Sequence, residues 1–488
     1  MKTVIKFFAA VISILPFVAD AQTDIDALRY SQTSITGTAR FTSMAGAFGA
    51  LGGDFSSLAY NPGGIAIYRK SEFTFSPSFY FEKTTSDFLG KSFGENRFNF
   101  NIPNIGFVFS SPRKEDKQGW KGWSLGIGMN RINNFQTKSY FEGFNYNNSL
   151  LDYFLQNANA NGGVAPENLD PYYEKLANDA MLIYDTTADG VNNYLKDTQY
   201  GITQRRNSTT RGGISEVDVS FGGNYNDLVY IGGTLGISSL RFIDESIFEE
   251  LDKEDNTQYL NKYSFEQDVT TRGTGVNFKL GLIVSPADWI RIGGAFHTPT
   301  LYSMHDDFNN IIKSDLTFGT YRAESPAGSF DYTLTTPFKA IGSLGFIIGK
   351  IGLIGVDYEF TDYSSGRFDA SGESFSDVND AMRTKYTTAS NVRIGTEWRL
   401  NNLSFRGGYA MYGTPFNAGE NVKGADQSKT SITGGIGVRD GNYFIDLGYA
   451  YTESTEYFQP YYLNNQSVPG SKNKIQTNNF VMTFGVKF

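Results

Sequence analysis

The last nine residues of the chain alternate strictly in character. One parity is entirely apolar and consists of Phe480, Met482, Phe484, Val486 and Phe488. The other parity carries Thr483 and Lys487. Successive side chains of a β-strand point to opposite faces, and a strand with an apolar outer face and a more polar inner face is typical of transmembrane β-barrels. The pattern therefore predicts that this chain crosses a membrane with strands.

The composition of the chain favours strands over helices as the spanning elements. Only 40% of its 488 residues are hydrophobic. Beyond the N-terminal region, no run approaches the about 20 apolar residues that a spanning helix needs. Glycine, phenylalanine and tyrosine are abundant and cysteine is absent, which suits a strand-rich protein that crosses an oxidising compartment. The net charge of −9 argues against nucleic acid as a partner, because phosphate binding needs clustered lysine and arginine.

The N-terminus has the three parts of a secretory signal peptide. Lys2 and Lys6 precede an apolar stretch, and Ala19-Asp20-Ala21 then provides the small residues that signal peptidase reads. We therefore expect residues 1–21 to be a signal peptide that is removed by cleavage before Gln22.

From residue 71 onward, the chain divides into about fourteen segments of alternating apolar character. The predicted strands begin near Glu72, Arg97, Trp120, Ile214, Leu228, Ser264, Trp289, Tyr332, Ile351, Ala389, Leu403, Lys429, Tyr443 and Asn478. Short turns such as Asn401-Asn402 alternate with much longer links, as periplasmic turns alternate with extracellular loops in outer-membrane barrels. The sequence predicts an all-β fold in which residues 71–488 form a 14-stranded antiparallel transmembrane β-barrel, with one long extracellular loop over residues 134–213.

Residues 22–70 are too long for a linker and too poor in alternation for spanning strands. The stretch from Ser43 to Asp54 consists mostly of small residues that allow close backbone approach, and Asn61-Pro62-Gly63-Gly64 then forces turns. A barrel of about fourteen strands encloses more space than its own side chains fill. We therefore interpret residues 22–70 as a plug, or hatch, inside the barrel.

The hatch and the barrel together resemble the FadL/TodX family of outer-membrane transporters for hydrophobic compounds. In the hatch, the similarity lies in Ala45-Gly46-Ala47, Asp54, Ser56-Ser57 and Tyr60-Asn61-Pro62-Gly63-Gly64. Along the barrel, it continues at Gly275 to Gly281, Pro286, Arg291-Ile292-Gly293, Pro299, Thr336-Pro337, Gly342, Asp357-Tyr358 and Thr361-Asp362-Tyr363. Gly63 stands where that family usually has alanine.

The resemblance implies a 14-stranded barrel with an N-terminal hatch that carries long-chain fatty acids or other hydrophobic molecules by diffusion after the hatch rearranges. It also implies exit into the membrane through a lateral gap beside a kinked strand. In the second predicted strand, the apolar parity changes across Pro103, and a proline cannot donate to a β-ladder. We therefore expect a bulge or kink at Pro103, which either opens such a gap or only adjusts the curvature of the wall.

Apolar ligands prefer concave apolar surfaces with few polar anchors. We predict that Leu151, Phe154, Leu155 and Leu182 of the long loop capture the ligand. A deeper pocket would be lined by the plug residues Phe48, Leu51, Phe55 and Leu58. Lys279 and Arg291 are candidates to hold a fatty-acid carboxylate, with pairing inside the lumen as the alternative. We expect a monomer in outer-membrane lipid, with no cofactor, no metal site and no catalytic residue.

Three other functions remain open at the level of sequence. A haem receptor would use His297 or His305, the two histidines of the chain, as an axial ligand. A general porin would need an open aqueous lumen rather than a plugged one. An outer-membrane hydrolase would need a nucleophile such as Ser303 beside one of the histidines, and no nucleophile elbow, zinc signature or phosphate loop supports it.

Overall fold

The computed structural model describes residues 23–112, 118–187, 192–197, 200–419 and 425–488. The predicted signal peptide, residues 1–21, lies outside the described residues. None of the helices within the described ranges is both long and apolar enough to cross a membrane.

Strands make up most of the described chain. They are Glu72–Phe88 (β1), Lys91–Pro112 (β2), Trp120–Asn134 (β3), Thr137–Asn145 (β4), Tyr184–Asp185 (β5), Tyr194–Leu195 (β6), Ile202–Tyr225 (β7), Val229–Leu251 (β8), Leu260–Ala287 (β9), Ile290–His297 (β10), Leu301–Leu316 (β11), Gly319–Glu324 (β12), Gly328–Thr335 (β13), Lys339–Ile348 (β14), Gly352–Asp362 (β15), Arg367–Asp369 (β16), Thr388–Leu400 (β17), Leu403–Tyr412 (β18), Lys429–Asp440 (β19), Tyr443–Phe458 (β20) and Ser471–Lys487 (β21).

These strands form a closed barrel with 14 antiparallel wall strands. The ring closes between β1 and β21, where Glu72 lies opposite Lys487 and Ser86 lies opposite Asn473. Four wall strands consist of two consecutive pieces, namely β3/β4, β10/β11, β13/β14 and β15/β16. The short strand β12 extends β11 as a hairpin, and β5 and β6 pair only with each other. The predicted fold class, a 14-stranded transmembrane β-barrel, is confirmed.

The alternation read from the last strand corresponds to the two faces of the wall. Phe480 and Phe484 are 48% and 41% exposed, whereas Val481 and Thr483 are 2% and 1% exposed. The same division recurs around the ring, where outward apolar side chains such as Ile237 stay exposed. An apolar outer belt is what a barrel needs in contact with lipid.

Several strands extend further on the loop side than the apolar pattern indicates. β7 begins at Ile202 rather than near Ile214, and β4 pairs with this extension from Thr137 to Asn145. Residues 202–213 lack apolar alternation because an extension beyond the membrane needs no lipid-facing stripe. The predicted 134–213 loop therefore contains strand of the barrel wall at both ends, and β4 ends at Asn145.

Residues 23–67 fold inside the barrel as a chain of short helices. They are Asp24–Ser31 (α1), Ala39–Ser43 (α2) and the 3₁₀-helices Phe55–Ala59 and Pro62–Ile67. Hydrogen bonds join this plug to distant parts of the wall: the Ala39 amide donates to Thr483 of β21 at 2.7 Å, and the Gly49 amide donates to Asp357 of β15 at 3.1 Å. A segment that touches such distant strands of a closed ring lies in its lumen.

Helices of the connecting segments cover the mouth of the barrel. They are Leu150–Ala158 (α3), Glu174–Asp179 (α4), Ser376–Lys385 (α5) and the 3₁₀-helices Ala160–Gly162, Pro166–Asn168 and Tyr363–Ser365. The Ser149 side chain caps α3 by accepting from the Leu151 amide at 3.0 Å. The apolar sides of α3 and α4 pack in one cluster with Phe265 of β9 and Ile312 of β11, so the long loop is folded onto the barrel.

Candidate functional site

A cavity of about 300 Å³ lies in the lumen between the end of α1 and the wall. Its lining includes three cations and three carboxylates, namely Arg29, Arg206, Lys429, Glu82, Asp244 and Glu456. Residues 32–36, which follow α1, close its plug side. The cavity thus has the size of a small-molecule site but a largely polar lining.

The cations of this cavity are oriented by aromatic and amide partners. The guanidinium of Arg206 lies 4.2 Å from the ring centroid of Phe458. Nζ of Lys429 donates to Oε1 of Gln32 at 2.7 Å. A positive group held in this way can bind a carboxylate or another polar end group of a ligand.

A second cavity, of about 80 Å³, lies beside the hatch and is lined by Lys279, Glu216 and His297 among others. Lys279 is paired with Glu216 and with Asp218, the latter at 3.2 Å, so its charge is already neutralised. Arg291 donates through NH1 to the Leu51 carbonyl at 2.9 Å. Lys279 and Arg291, the two candidates to bind a fatty-acid carboxylate, are therefore already engaged by groups of the wall and the plug.

The two histidines have different surroundings. His297 faces the lumen, and its Nε2 lies 2.7 Å from the Tyr60 carbonyl oxygen. His305 lies on β11, and its ring nitrogens contact Asp331 at 2.7 Å and Asp307 at 3.2 Å. The cavity of about 80 Å³ next to His297 is below the ~300–1,000 Å³ of typical ligand pockets. Among the described residues, no cluster of three or more potential ligand side chains is arranged to hold a metal ion.

The hatch motif packs against glycine residues of the wall, among them Gly281 of β9 and Gly232 of β8. Asn61 caps the second 3₁₀-helix by accepting from the Gly63 amide at 2.9 Å, and its Nδ2 donates to Leu282 O of β9 at 3.2 Å. A Cβ on Gly281 would lie 2.0 Å from Asn61 Oδ1, and one on Gly63 would lie 3.1 Å from the Gly281 carbonyl carbon. A Cβ at position 63 would thus require the neighbouring backbone of β9 to give by a few tenths of an ångström.

The four plug residues predicted to bind ligand are packed against other parts of the protein. Phe48 and Leu51 pack in one cluster with Phe41 and Met44. Phe55 and Leu58 pack in another with Ile65, Tyr68 and Val108. All four are at most 3% exposed and line neither lumen cavity. Their role in binding stays a prediction that requires the plug to loosen.

The predicted capture residues are also largely enclosed. Leu151 and Phe154 are fully buried and Leu182 is 4% exposed, while Leu155 packs at the edge of the same cluster. Leu182 nevertheless borders a small outer recess together with Met181 and Phe318, which are 52% and 58% exposed. Leu182 therefore lies next to an apolar surface that is open to the outside.

Pro103 coincides with a change of register in the wall. Ser76 of β1 lies opposite Asn104 of β2, whereas Ser78 lies opposite Asn101. One residue of β1, Pro77, therefore faces two residues of β2, which is the geometry of a β-bulge. The extra residue changes the direction of β2 at this level of the wall.

Above the bulge, the wall has a seam between β2 and β3/β4. The ladder between β2 and β3 starts at Asn104 opposite Asn130, and no ladder pairing joins residues 91–103 to β3 or β4 in the described chain. Side chains close the seam instead: Arg97 donates to Gln136 Oε1 at 3.2 Å, and Lys138 lies 2.8 Å from Glu95.

The larger cavity reaches the inner side of this seam. It is lined by Tyr80 and Glu82 of β1 on one side and by Asn133 and Thr137 on the other. Thr137 donates to Glu82 across the gap at 3.1 Å. A molecule in the cavity is therefore separated from the outside of the wall by side chains rather than by a backbone ladder.

Sequence reasoning missed the lining of the larger cavity. Arg206 lies on the extension of β7 and Lys429 is the first residue of β19, and their contact with one cavity is recognisable only once the register is known. The helix α1, DIDALRYS, is too short and too polar to be noticed as an apolar element. The available signal was the position of Arg206 and Lys429 at the inward parity of their strands.

Comparison with known proteins gives matches in structure alone. No protein-family model matches the chain, and no curated protein matches it. The structure of a Pseudomonas aeruginosa FadL homologue is similar with a TM-score of 0.58 and 12% identity, covering 94% of this chain and 100% of that one. The Pseudomonas putida toluene transporter TodX has a TM-score of 0.52, 10% identity, and coverage of 94% and 100%.

The Ralstonia pickettii toluene transporter TbuX is similar with a TM-score of 0.51 and 15% identity, covering 93% of this chain and 99% of that one. All three comparisons cover more than nine-tenths of this chain. The resemblance seen in the hatch motif and along the barrel is thereby confirmed at the level of architecture, and the chain has the fold of the FadL- and TodX-type channels.

Proposed function

We propose that the protein is an outer-membrane transporter, active as a monomer, that takes up hydrophobic small molecules by diffusion through a hatch-gated barrel. The observation that carries the proposal is the lumen cavity of about 300 Å³ that reaches a wall seam without a backbone ladder. A general porin needs a continuous aqueous lumen, and the buried plug segment argues against that alternative.

Capture would begin at the apolar recess of the long loop. Met181, Tyr259 and Phe318 are all exposed there and border Leu182. Contiguous exposed apolar surface can mark a ligand or partner contact. From this surface, the ligand would pass Leu151, Phe154 and Leu155 when the long loop changes conformation.

Passage through the lumen would follow the larger cavity. The plug residues Phe48, Leu51, Phe55 and Leu58 would contact the ligand once the hatch rearranges. The bulge at Pro103 and the seam above it supply a route into the membrane, because only side chains would have to part. Exit of the ligand through the wall directly into the membrane would keep its apolar surface out of water.

The polar lining favours one ligand class within this function. Arg206 and Lys429 line the cavity together with Asp244 and Glu456, and this polar lining suits the polar end of a long-chain fatty acid better than a plain hydrocarbon. The toluene transporters with the same fold make small aromatic molecules the second candidate class. The two classes differ in whether binding depends on a carboxylate.

Reconstitution into planar bilayers and vesicles tests the proposal. We expect low ion conductance together with saturable binding of a fluorescent long-chain fatty acid. The binding should weaken when Arg206→Gln and Lys429→Gln are combined, whereas toluene should bind the variant and the unaltered protein equally. High steady conductance without binding of either probe would overturn the transporter and favour the porin.

A further inference from the structure

The apolar side of α1 covers an apolar patch of the lumen wall. Ala27 and Leu28 are 2% and 3% exposed and pack against inward side chains of β8 and β11, among them Leu240, Phe242 and Met304. The inward residues nearer the hatch, such as Glu216, are charged or polar instead. The patch therefore differs in character from the lumen around it, and a segment of the chain itself occupies it.

The start of α1 is fastened to an extracellular connection by two polar contacts. Oδ1 of Asp24 lies 3.0 Å from Nζ of Lys385, and the Tyr386 hydroxyl donates to Oδ2 of Asp24 at 2.7 Å. Lys385 is 44% exposed at its side chain. Partly exposed ion pairs contribute little to stability. This clasp, formed by Asp24, Lys385 and Tyr386, thus combines a partly exposed ion pair with one hydrogen bond from the buried Tyr386.

The far end of α1 is held differently from its start. The Ser34 amide donates to the Ile132 carbonyl at 2.9 Å, and Asn133 Nδ2 donates to the Gln32 carbonyl at 3.1 Å. Both contacts use backbone groups of the connection after α1. If the clasp opens, α1 can rotate about this connection while the rest of the plug keeps its position.

The opposite side of α1 borders the larger cavity through Arg29, and Gln32, which follows α1, lines the same cavity. Displacement of α1 would join that cavity to the apolar patch. The eight residues of α1 occupy a length of about 12 Å at 1.5 Å per residue. The combined space would then have an apolar part and a polar part that carries both signs of charge, as an amphipathic ligand requires.

We infer that the wall patch beneath α1 binds the apolar chain of the cargo and that α1 is a built-in competitor for this site. The inference rests on the proposed function and deepens it. With the clasp closed, α1 supplies the apolar contacts itself. The apparent affinity for cargo is then reduced by the fraction of molecules in which α1 is displaced.

Locking the clasp tests the inference, and the absence of native cysteine makes the experiment specific. Cysteines at positions 24 and 385 (Asp24→Cys with Lys385→Cys) are bridged by a short reducible bis-thiol reagent. We expect binding of a fluorescent long-chain fatty acid to fall at least tenfold in the bridged protein and to return after reduction. Unchanged affinity in the fully bridged protein would overturn the inference.

A matched control bridges a different ion pair between the N-terminal segment and a turn of the barrel. Arg69 and Asp227 lie 2.6 Å apart and are 54% and 48% exposed. The Arg69→Cys with Asp227→Cys protein should bind the probe equally before and after bridging. An equal loss of binding in this control would mean that any bridge to the plug impairs the protein, which also overturns the competitor role of α1.

Loosening α1 should have the opposite effect. Asp24→Ala opens the clasp and Leu28→Ala removes apolar contacts of α1, and each should tighten probe binding about two- to fivefold. A purely structural α1 predicts weaker or unchanged binding in both variants. Asp380→Ala, which removes an exposed pair with Arg383 in α5, is the control and should leave affinity unchanged.

The unaltered protein separates this inference from the proposed function. If it binds neither the fatty acid nor toluene, the proposed function fails. If it binds the fatty acid but bridging, Asp24→Ala and Leu28→Ala leave the affinity unchanged, the transporter stands and the role of α1 is refuted.

Discussion

Nε of Arg40 in the plug donates to Oε2 of Glu397 on the inner wall at 2.7 Å. The same carboxylate accepts from Arg406 Nε at 2.7 Å and from Arg399 NH2 at 2.6 Å. Arg406 also reaches Asp446 at 2.7 Å. One buried glutamate therefore balances charges from the plug and from the wall, which ties the two parts together.

Glu397→Gln should loosen the plug. The substitution leaves Arg40 and Arg406 buried without their shared counter-charge, and breaking a buried pair in this way costs about 3–5 kcal/mol. We expect a lower free energy of unfolding in urea and a higher ion conductance of the reconstituted barrel. Glu249→Gln, which breaks the outer pair with Arg205, should change neither measurement. Equal conductance in all three proteins would refute the anchoring role of Glu397.

Gly281→Ala should displace the hatch motif. The added Cβ would lie 2.0 Å from Asn61 Oδ1 and 2.6 Å from the Gly63 nitrogen, so the second 3₁₀-helix must move. We expect faster proteolysis of the plug in detergent while the barrel stays intact. Gly294→Ala is the matched control, because a Cβ there meets nothing within 4 Å. Equal proteolysis of the two variants would contradict close docking at Gly281.

Deletion of Pro103 should close the seam. Without the extra residue, β2 can pair with β1 in a continuous register and can extend its ladder toward β3. We expect at least tenfold slower transfer of the fluorescent fatty acid into the membrane, with binding retained. Pro103→Ala keeps the residue count and hence the bulge, so transfer should stay near that of the unaltered protein. Normal transfer after the deletion would exclude this route.

The wall could be predicted from sequence because lipid imposes one simple rule on it. Every spanning strand needs an apolar outer face, as in Phe480 and Phe484, and the period of two makes that face visible in the chain. The rule ends where the strands leave the membrane. The start of β7 at Ile202 could therefore not be located from apolar alternation.

The binding residues were harder to predict because apolar periodicity does not distinguish a ligand surface from a packed interior. Phe154 has the helical spacing of a capture residue, yet it is fully buried against other residues of the loop and barrel. Whether an apolar residue stays accessible to a ligand depends on its contacts with residues that are distant in the sequence. The cavity cations Arg206 and Lys429 depend in the same way on the register of distant strands.

The folded long loop should become more stable as the pH falls. Burial raises the pKa of Glu174 in α4 to about 7, although Asn157 donates to its Oε1 at 2.8 Å. The folded loop therefore binds more protons than the unfolded chain between about pH 4.5 and 7, and stability falls as the pH rises through that range.

Amide hydrogen exchange of α3 and α4, corrected for intrinsic rates, measures this dependence. We expect protection to increase by about 1–3 kcal/mol from pH 8 to pH 5. Glu174→Gln cannot ionise, so the protection of α4 should be nearly independent of pH and should match that of the unaltered protein at pH 5. Glu167→Gln, at an exposed position of the same loop, should keep the full pH dependence. Dependence that persists in Glu174→Gln would assign it to another group.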